Sequence, residues 1–283
     1  KFVFFGSSPI SITTLNELEK SGFIPKAVIT QGDKPQGRGL LLTPSPVKVW
    51  AEQRNIPVMT PNKIKDENFI NELKKINAEV FILVSYGKII PKEILDMPKF
   101  GILNLHPSLL PKLRGPSPIE STILNNMKNE VGVTIMLLDT KMDEGPILAQ
   151  KKIELTNWPI KKLELYKILS EEGGKLLTET IPLYIEGKIK PETQDASKAT
   201  YCKKIEKNDG LINLDSDPYQ NYLKISAFEG WPGSFFIIKK DNKDMRIKVM
   251  SATFENNELK IIRVTPEGKK EISFEDFKKG YLS

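Results

Sequence analysis

The stretch Glu79-Val-Phe-Ile-Leu-Val-Ser85 is a continuous apolar run with a polar residue at each end. A strand without alternating polar residues is typical of the centre of a parallel sheet, where both faces are buried. On both sides of this run, strand-like segments alternate with helix-like segments through the first two-thirds of the chain. This order predicts an α/β fold with a doubly wound, mostly parallel sheet and right-handed crossovers.

The elements around this run are predicted from their apolar periodicity and from the residues that bound them. Further strands are predicted at residues 2–5, 26–30, 101–105 and 131–138, and helices at residues 12–20, 46–54, 66–76, 117–127 and 161–185. The helix that begins at Pro46 has the clearest start, because Ser45 is a favourable N-cap and proline is favoured at the first helical position.

The character of the chain changes after Thr200. Residues 188–198 are polar and contain a proline, which is typical of a linker. Beyond them, short strand-like runs at 234–239, 246–252 and 259–264 are separated by Asn, Asp and Gly turns, a pattern that favours a small barrel-like domain. We therefore predict an α/β domain at 1–187, a linker at 188–200 and a β-rich C-terminal domain at 201–283.

Composition limits the classes of function. The chain has 283 residues and a single cysteine, Cys202, so an internal disulfide and a cysteine-rich zinc site are excluded, and a reducing, cytoplasmic setting is expected. With one histidine and one cysteine, a metal site would need carboxylates almost alone, and we predict none.

No apolar stretch is long enough to span a bilayer, and the N-terminal run is too short for a signal peptide. The net charge of +6 is compatible with a polyanionic partner without establishing one.

The only histidine, His106, lies in Gly101-Ile-Leu-Asn104-Leu-His106-Pro-Ser-Leu-Leu-Pro111, where an apolar run ends in a polar turn. Histidine is the side chain whose ordinary pKa is nearest to neutral pH, so it is the first candidate for proton transfer. Asn104 is two residues earlier and points to the same side of an extended chain. An amide donor and an imidazole are therefore expected at the carboxyl end of a strand, where open α/β sheets bind ligands. The alternative is a histidine satisfied within the core or at a turn.

Two other segments carry chemistry. In Leu137-Leu-Asp-Thr-Lys-Met-Asp143-Glu-Gly-Pro-Ile147, a strand ends in an acidic turn whose carboxylate could orient His106 or relay a proton through water. The alternative is an ordinary solvated turn. The loop at 31–46 combines three glycines, two cations and three consecutive leucines, which suits a clamp on a nucleic-acid end or, alternatively, a plain surface loop.

The first βα turn, Gly6-Ser-Ser-Pro9, is not the G-x-G-x-x-G motif, and the chain contains no P-loop. A dinucleotide-dependent oxidoreductase and an ATPase are therefore disfavoured despite the fold class.

Together these motifs resemble the methionyl-tRNA formyltransferase family. Asn104-Leu-His106-Pro-Ser-Leu-Leu-Pro-Lys-Leu-Arg114-Gly115 is similar to its N-x-H-x-S-L-L-P-x-x-R-G signature, and Val133-Thr-Ile-Met136 with Asp143-Glu-Gly145 is similar to its second catalytic segment. Three separated motifs in the family's order make the resemblance to folate-dependent formyltransferases specific.

The resemblance extends to the parts that contact tRNA. Asp33-Lys-Pro-Gln-Gly-Arg-Gly39 and Pro44-Ser-Pro-Val-Lys48 are similar to the loop that enters the acceptor stem of initiator tRNA. Phe228-Glu-Gly-Trp-Pro232 is similar to the start of the family's C-terminal barrel. The resemblance therefore implies a Rossmann-like formyltransferase domain followed by an OB-like barrel. Between Phe254 and Leu259 there is too little chain for all the strands of the barrel, so a reduced barrel is expected.

The resemblance implies transfer of a formyl group from the co-substrate 10-formyltetrahydrofolate to the amino group of methionine on initiator Met-tRNA, by a cytoplasmic monomer that needs no metal and no membrane. Asn104 and protonated His106 would donate to the oxyanion, and His106, Asp143 and a water would move the proton. The remaining implied contacts are to folate (Tyr86, Gly87, Lys88, Ile89, Ile90, Ser108, Leu109, Leu110, Pro111, Leu138, Asp139, Thr140 and Met142) and to tRNA (Lys34, Arg38 and Lys48). Ile10 stands where the family usually has an aromatic residue beside the methionine pocket.

Three other functions stay open. A sugar-nucleotide N-formyltransferase shares the Asn-His-Asp core and differs in its acceptor. A glycinamide ribonucleotide formyltransferase is usually a single domain, which leaves the chain after residue 200 unexplained. A non-catalytic nucleic-acid-binding protein is supported by charge alone. The 33–48 loop and the C-terminal domain favour the tRNA acceptor.

Overall fold

The computed structural model describes residues 1–36, 40–240 and 242–282. It divides into two compact units, each built from three stretches of chain. The first unit comprises Lys1–Gly115, Glu130–Ile153 and Tyr166–Tyr201, and the second comprises Pro116–Asn129, Glu154–Leu165 and Cys202–Ser283. The domain boundaries predicted at 187 and 200 follow chain order and stay a prediction, whereas residues 188–200 belong to the first compact unit.

The first unit contains a seven-stranded sheet and a small hairpin. Its strands are β1 (Phe2–Gly6), β2 (Ala27–Ile29), β3 (Lys34–Gln36), β4 (Leu41–Thr43), β5 (Val58–Met59), β6 (Val80–Val84), β7 (Ile102–His106), β8 (Gly132–Leu137) and β9 (Ile147–Lys152). Seven of them form the sheet in the order β5-β2-β1-β6-β7-β8-β9, and β3 and β4 form a separate hairpin. The first five strands of that order are parallel to one another, β8 is antiparallel to β7, and β9 is antiparallel to β8. The prediction of a doubly wound, mostly parallel sheet is confirmed.

The helices begin and end close to their sequence signals. They are α1 (Pro9–Lys20), α2 (Pro46–Glu52), α3 (Glu67–Lys75), α4 (Lys92–Leu95), α5 (Pro118–Leu124), α6 (Lys162–Ile185), α7 (Pro218–Ala227) and α8 (Phe274–Phe277). Ser45 caps α2 as predicted, because its hydroxyl accepts a hydrogen bond from the backbone N–H of Lys48 at 3.0 Å. Helix α7 was not predicted from the sequence, although Asp217 and Pro218 give it the same kind of start.

The apolar run at 79–85 forms β6, which lies between β1 and β7. Its side chains join a buried cluster in which Phe5 packs against Phe81 and Tyr86, each with ring centroids 5.5 Å apart. Both faces of this part of the sheet are therefore buried, as the sequence predicts. Strand β7, which carries the predicted catalytic residues, is hydrogen-bonded on both edges, to β6 and to β8.

The second unit contains an antiparallel sheet. Its strands β10 (Phe235–Lys240), β11 (Lys243–Glu255), β12 (Glu258–Pro266) and β13 (Ile272–Ser273) are paired in chain order. One face packs on a core that includes Phe236, Ile247 and Phe277. The β-rich C-terminal region is thus confirmed, and within the described residues the reduced barrel is a four-stranded meander with β10 and β13 as its outer strands. No helix in the described ranges has the length and apolar character needed to cross a bilayer.

Candidate active site

Asn104 and His106 are held on one face of β7. Asn104 pairs with Leu83 of β6 and with Met136 of β8, while His106, the last residue of the strand, pairs with Thr134. Successive side chains of a strand alternate between its faces, so these two point to the same side. Both are buried, with 6% and 4% of their surfaces exposed.

His106 contacts a backbone oxygen on one side and a carboxylate on the other. Its Nε2 lies 3.0 Å from the carbonyl oxygen of Leu113, which can only accept, so Nε2 carries the proton of the neutral ring. Its Nδ1 lies 3.7 Å from Oδ2 of Asp143. The structure therefore holds two of the predicted catalytic residues, Asn104 and His106, on one strand. It turns the proton-accepting nitrogen of the imidazole toward the third, Asp143.

Burial lowers the pKa of His106 below its ordinary value of 6.5, and the negative charge of Asp143 and the hydrogen bond with Leu113 act against that shift. The resting imidazole is therefore neutral at physiological pH. The protonated form that the sequence analysis expected at the oxyanion arises only after Nδ1 has taken up a proton. A neutral imidazole is the form in which a histidine acts as a general base.

The turn that follows β8 has to run back along β7 before Asp143 can reach His106. Strand β8 is antiparallel to β7, and the backbone N–H of Leu138 donates to the carbonyl of Ile102 at the start of β7, whereas His106 is at its end. The turn that brings Asp143 back adopts a left-handed backbone at this residue, with φ 55°. Oδ2 of Asp143 accepts a hydrogen bond of 2.8 Å from the N–H of Gly115, which fixes the carboxylate beside the imidazole.

A buried arginine and a buried glutamine surround this turn. Arg114 is 2% exposed and donates from Nε and Nη2 to Oε1 of Gln194, at 3.0 and 2.8 Å. Nη1 of Arg114 lies 3.6 Å from Oε1 of Glu144. No role was predicted for Arg114, although it belongs to the motif that carries His106. Gln194 lies in the predicted linker, where no local signal distinguishes it.

Some of the predicted folate residues are buried and others are exposed to solvent. Ser108 and Leu110 are buried, and their backbone groups are bonded to the hydroxyl of Thr134 at 2.6 and 3.1 Å, so they shape the loop after β7. By contrast, Ile89 and Met142 expose 85% and 61% of their surfaces. The folate contacts of these two side chains stay a prediction.

Among the other predicted folate residues, Tyr86 and Ile90 are buried, Leu109, Pro111, Lys88 and Leu138 are half-buried, and Gly87, Asp139 and Thr140 are exposed. Burial raises the pKa of Tyr86 to about 12, so its hydroxyl stays protonated. The Lys88 ammonium donates to the carbonyl of Pro61 at 2.8 Å, which fastens the segment after β6.

The residues predicted to contact tRNA lie on and beside the β3–β4 hairpin. Lys34 donates to the side chain of Gln31, and Lys48 forms an ion pair with Asp33 at 2.9 Å. Arg38 lies outside the described residues. Leu40, Leu41 and Leu42 are each more than 70% exposed, so the apolar triplet of the loop faces solvent.

Known proteins are similar to this chain in sequence. Residues 1–181 match the family described as formyl transferase. The methionyl-tRNA formyltransferase of Caldicellulosiruptor saccharolyticus is 45% identical over 84% of this chain and 76% of its own length. This chain belongs to the methionyl-tRNA formyltransferase family. The enzyme of that name from Thermodesulfovibrio yellowstonii is 36% identical over 98% of this chain and 95% of its own.

Solved structures share the fold of this family member. Methionyl-tRNA formyltransferase from Clostridium thermocellum superposes with a TM-score of 0.61 at 19% identity, covering 96% of this chain and 98% of the other. An N-formyltransferase from Helicobacter canadensis, solved with folinic acid and dTDP-3-aminofucose, gives a TM-score of 0.64 at 22% identity, over 90% and 88% of the two chains. The described residues contain no group of three or more His, Cys, Asp or Glu side chains placed to hold a metal ion.

Proposed function

We propose that this chain transfers the formyl group of 10-formyltetrahydrofolate to the amino group of methionine carried by initiator tRNA. The observation that supports this most strongly is the pairing of His106 Nδ1 with Asp143 beside Asn104 on β7, in a chain of the methionyl-tRNA formyltransferase family. A buried neutral imidazole with a carboxylate neighbour suits the removal of a proton from an attacking amine.

Each of the three residues has a distinct part in this proposal. The Asn104 amide donates a hydrogen bond to the oxygen that becomes negative when the amine attacks the formyl carbon. His106 takes up the amine proton at Nδ1, directly or through a water, and Asp143 stabilises the imidazolium that results. The proton then passes to the departing nitrogen of the folate. Formyl transfer by this route forms no covalent bond to the protein and uses no metal.

The co-substrate supplies the formyl group, and the chain has exposed apolar groups suited to hold its ring system. Ile89 follows β6 and Met142 precedes Asp143 by one residue, so each is close in sequence to a strand end or to the site. Apolar side chains flanked by backbone donors and acceptors are the usual lining of a small-molecule site. We propose that the segments 86–90 and 138–142 hold the folate and that residues 108–111 shape the loop against it.

The β3–β4 hairpin is proposed to engage the acceptor end of the tRNA. Its exposed leucines provide an apolar wedge, and Lys34, Arg38 and Lys48 provide charges for the phosphates. In the second unit, Lys239 on β10 and Arg246 and Lys248 on β11 give the sheet further positive charge. We also propose that the chain acts as a monomer in the cytoplasm.

A formyl-transfer assay tests the proposed function. The purified chain is given 10-formyltetrahydrofolate and, in separate reactions, Met-charged initiator tRNA, Met-charged elongator tRNA and a 4-amino sugar nucleotide. A strong preference for initiator tRNA supports the proposal. Turnover of the sugar nucleotide would keep Asn104, His106 and Asp143 as the catalytic set and would show that the tRNA assignment is wrong.

The hairpin predicts a separate effect on tRNA affinity. Arg38→Ala and Lys34→Ala are each expected to raise the KM for tRNA and to lower the slope of log affinity against log salt by about 1, because each removes one phosphate contact. The kcat should change little. Lys63→Ala, which removes an exposed lysine outside the hairpin, is the matched control. An unchanged KM in both hairpin variants would contradict this role.

A further inference from the structure

The segment from Glu192 to Tyr201 is fastened to the catalytic region of the first unit. At one end, Glu192 and Ile147 exchange two backbone hydrogen bonds of 2.8 Å. At the other end, the Thr200 carbonyl accepts from the N–H of Arg114 at 2.9 Å, and the Thr200 hydroxyl accepts from the N–H of Leu113 at 2.9 Å. Leu113 is the residue whose carbonyl contacts His106. A segment that resembles a linker in sequence therefore braces the loop that orients the imidazole.

Gln194 is the residue of this segment that reaches the Asp143 turn. Its Nε2 donates to the carbonyl of Asp143 at 2.8 Å and to the carbonyl of Gly145 at 2.7 Å. Its Oε1 accepts the two hydrogen bonds from Arg114. The orientation of the amide is unambiguous, because carbonyl oxygens only accept and a guanidinium only donates. Both amide hydrogens and both oxygen lone pairs are thus in use, and the side chain is 7% exposed.

The turn needs such support. A left-handed backbone at a residue other than glycine is unfavourable by roughly 1 kcal/mol or more and persists only where the surroundings hold it. At Asp143 the N–H of Gly115 holds the side chain, and Gln194 holds the main chain. Without the second contact, the hydrogen bond from Gly115 alone would hold the carboxylate at its position 3.7 Å from His106 Nδ1.

We propose that Gln194 is a positioning residue for formyl transfer, which clamps the 143–145 backbone so that the Asp143 carboxylate stays beside the imidazole of His106. The proposal rests on the roles given above to His106 and Asp143. Gln194 itself touches neither substrate in this scheme. Arg114 completes the clamp, because its two donors fix the amide of Gln194 in the orientation that presents Nε2 to the turn.

Two substitutions test whether Gln194 holds the 143–145 backbone or only accepts hydrogen bonds from Arg114. Gln194→Met keeps the size of the side chain and removes every hydrogen bond. Gln194→Glu keeps the acceptor for Arg114 and replaces the amide donor with an oxygen that repels the two carbonyls. For a clamp, both variants should lower kcat by about 10- to 100-fold, with the KM values for folate and tRNA nearly unchanged, because small displacements of a catalytic group cost rate rather than binding. Gln53→Met, the same change at an exposed position, is the control.

His106 gives a second readout that does not depend on activity, because it is the only histidine in the chain. The imidazole of the untagged protein is titrated by NMR in the wild type, in Asp143→Asn and in Gln194→Met. Asp143 raises the pKa of His106 through its charge, so removal of that charge lowers the midpoint. The expected result is that Gln194→Met shifts the midpoint in the same direction as Asp143→Asn.

Several results would show that Gln194 does not act as this clamp. Full kcat in Gln194→Met, or recovery of kcat in Gln194→Glu, would overturn the clamp. So would a variant that unfolds at a lower temperature but keeps the wild-type kcat and imidazole midpoint at a temperature where it is folded. If the wild type itself fails to formylate Met-tRNA, the proposed function is wrong, and the NMR comparison still tests whether Gln194 holds Asp143 against His106.

Discussion

Asp143→Ala is expected to lower the kcat of formyl transfer by at least ~100-fold, with little change in the KM for tRNA. The carboxylate is the charged partner of His106, whose pKa is already lowered by burial. Without it, the imidazolium that forms when Nδ1 accepts the amine proton has no opposite charge beside it. Since that charge is needed only after attack begins, its loss raises the barrier and leaves substrate binding intact.

Asn104→Ala is expected to lower kcat by a similar factor, for a different reason. Removing one hydrogen-bond donor to an oxyanion typically costs ~10²–10³ in kcat. The measurement is single-turnover formylation of Met-charged initiator tRNA at saturating folate, with tRNA affinity determined separately. Asp96→Ala, which removes an exposed carboxylate paired with Lys92, is the control. Near-normal turnover in either the Asp143 or the Asn104 variant would show that the role assigned to that residue is wrong.

The parts of this site that could be predicted from the sequence are those set by local patterns. The apolar run of β6 is long enough and uniform enough to identify a buried central strand. The spacing of Asn104 and His106 on β7 places both on one face whatever lies around them. Ser45 and Pro46 define the start of α2 because a helix cap is a contact between residues three positions apart.

The parts that could not be predicted depend on contacts between distant stretches of chain. Gln194 meets Arg114 across 80 residues, and the segment around it has the polar composition of a linker. The antiparallel direction of β8 has no signature in its own residues, because a buried strand is apolar in either direction. The left-handed backbone of Asp143 is equally hidden, since the turn requires it only once Gly115 and Gln194 are in place.

Gly145→Ala is expected to lower both the stability of the protein and the rate of formyl transfer. A Cβ at this position would lie 1.9 Å from the carbonyl oxygen of Leu137 and 3.1 Å from its carbonyl carbon. Both are backbone atoms, so neither can rotate away as a flexible side chain would. The neighbouring hydrogen bond from Leu137 N–H to the Pro146 carbonyl, 2.9 Å long, closes the β8–β9 connection and keeps the two chains at this distance. Overpacking of this kind typically destabilises a protein by about 1–3 kcal/mol.

The kcat should fall as well, because the carbonyl of Gly145 is one of the two to which Gln194 donates. Asp143 is only two residues away. Displacing a catalytic group by about 1 Å can cost ~100-fold in rate, so we expect a loss of that order in kcat. The variant is measured at a temperature where circular dichroism shows it to be folded, and its free energy of unfolding is obtained from urea titration. Gly280→Ala is the control, since a Cβ there meets no atom within 4 Å. A folded Gly145→Ala protein with wild-type kcat would show that the 143–145 backbone does not set the geometry of catalysis.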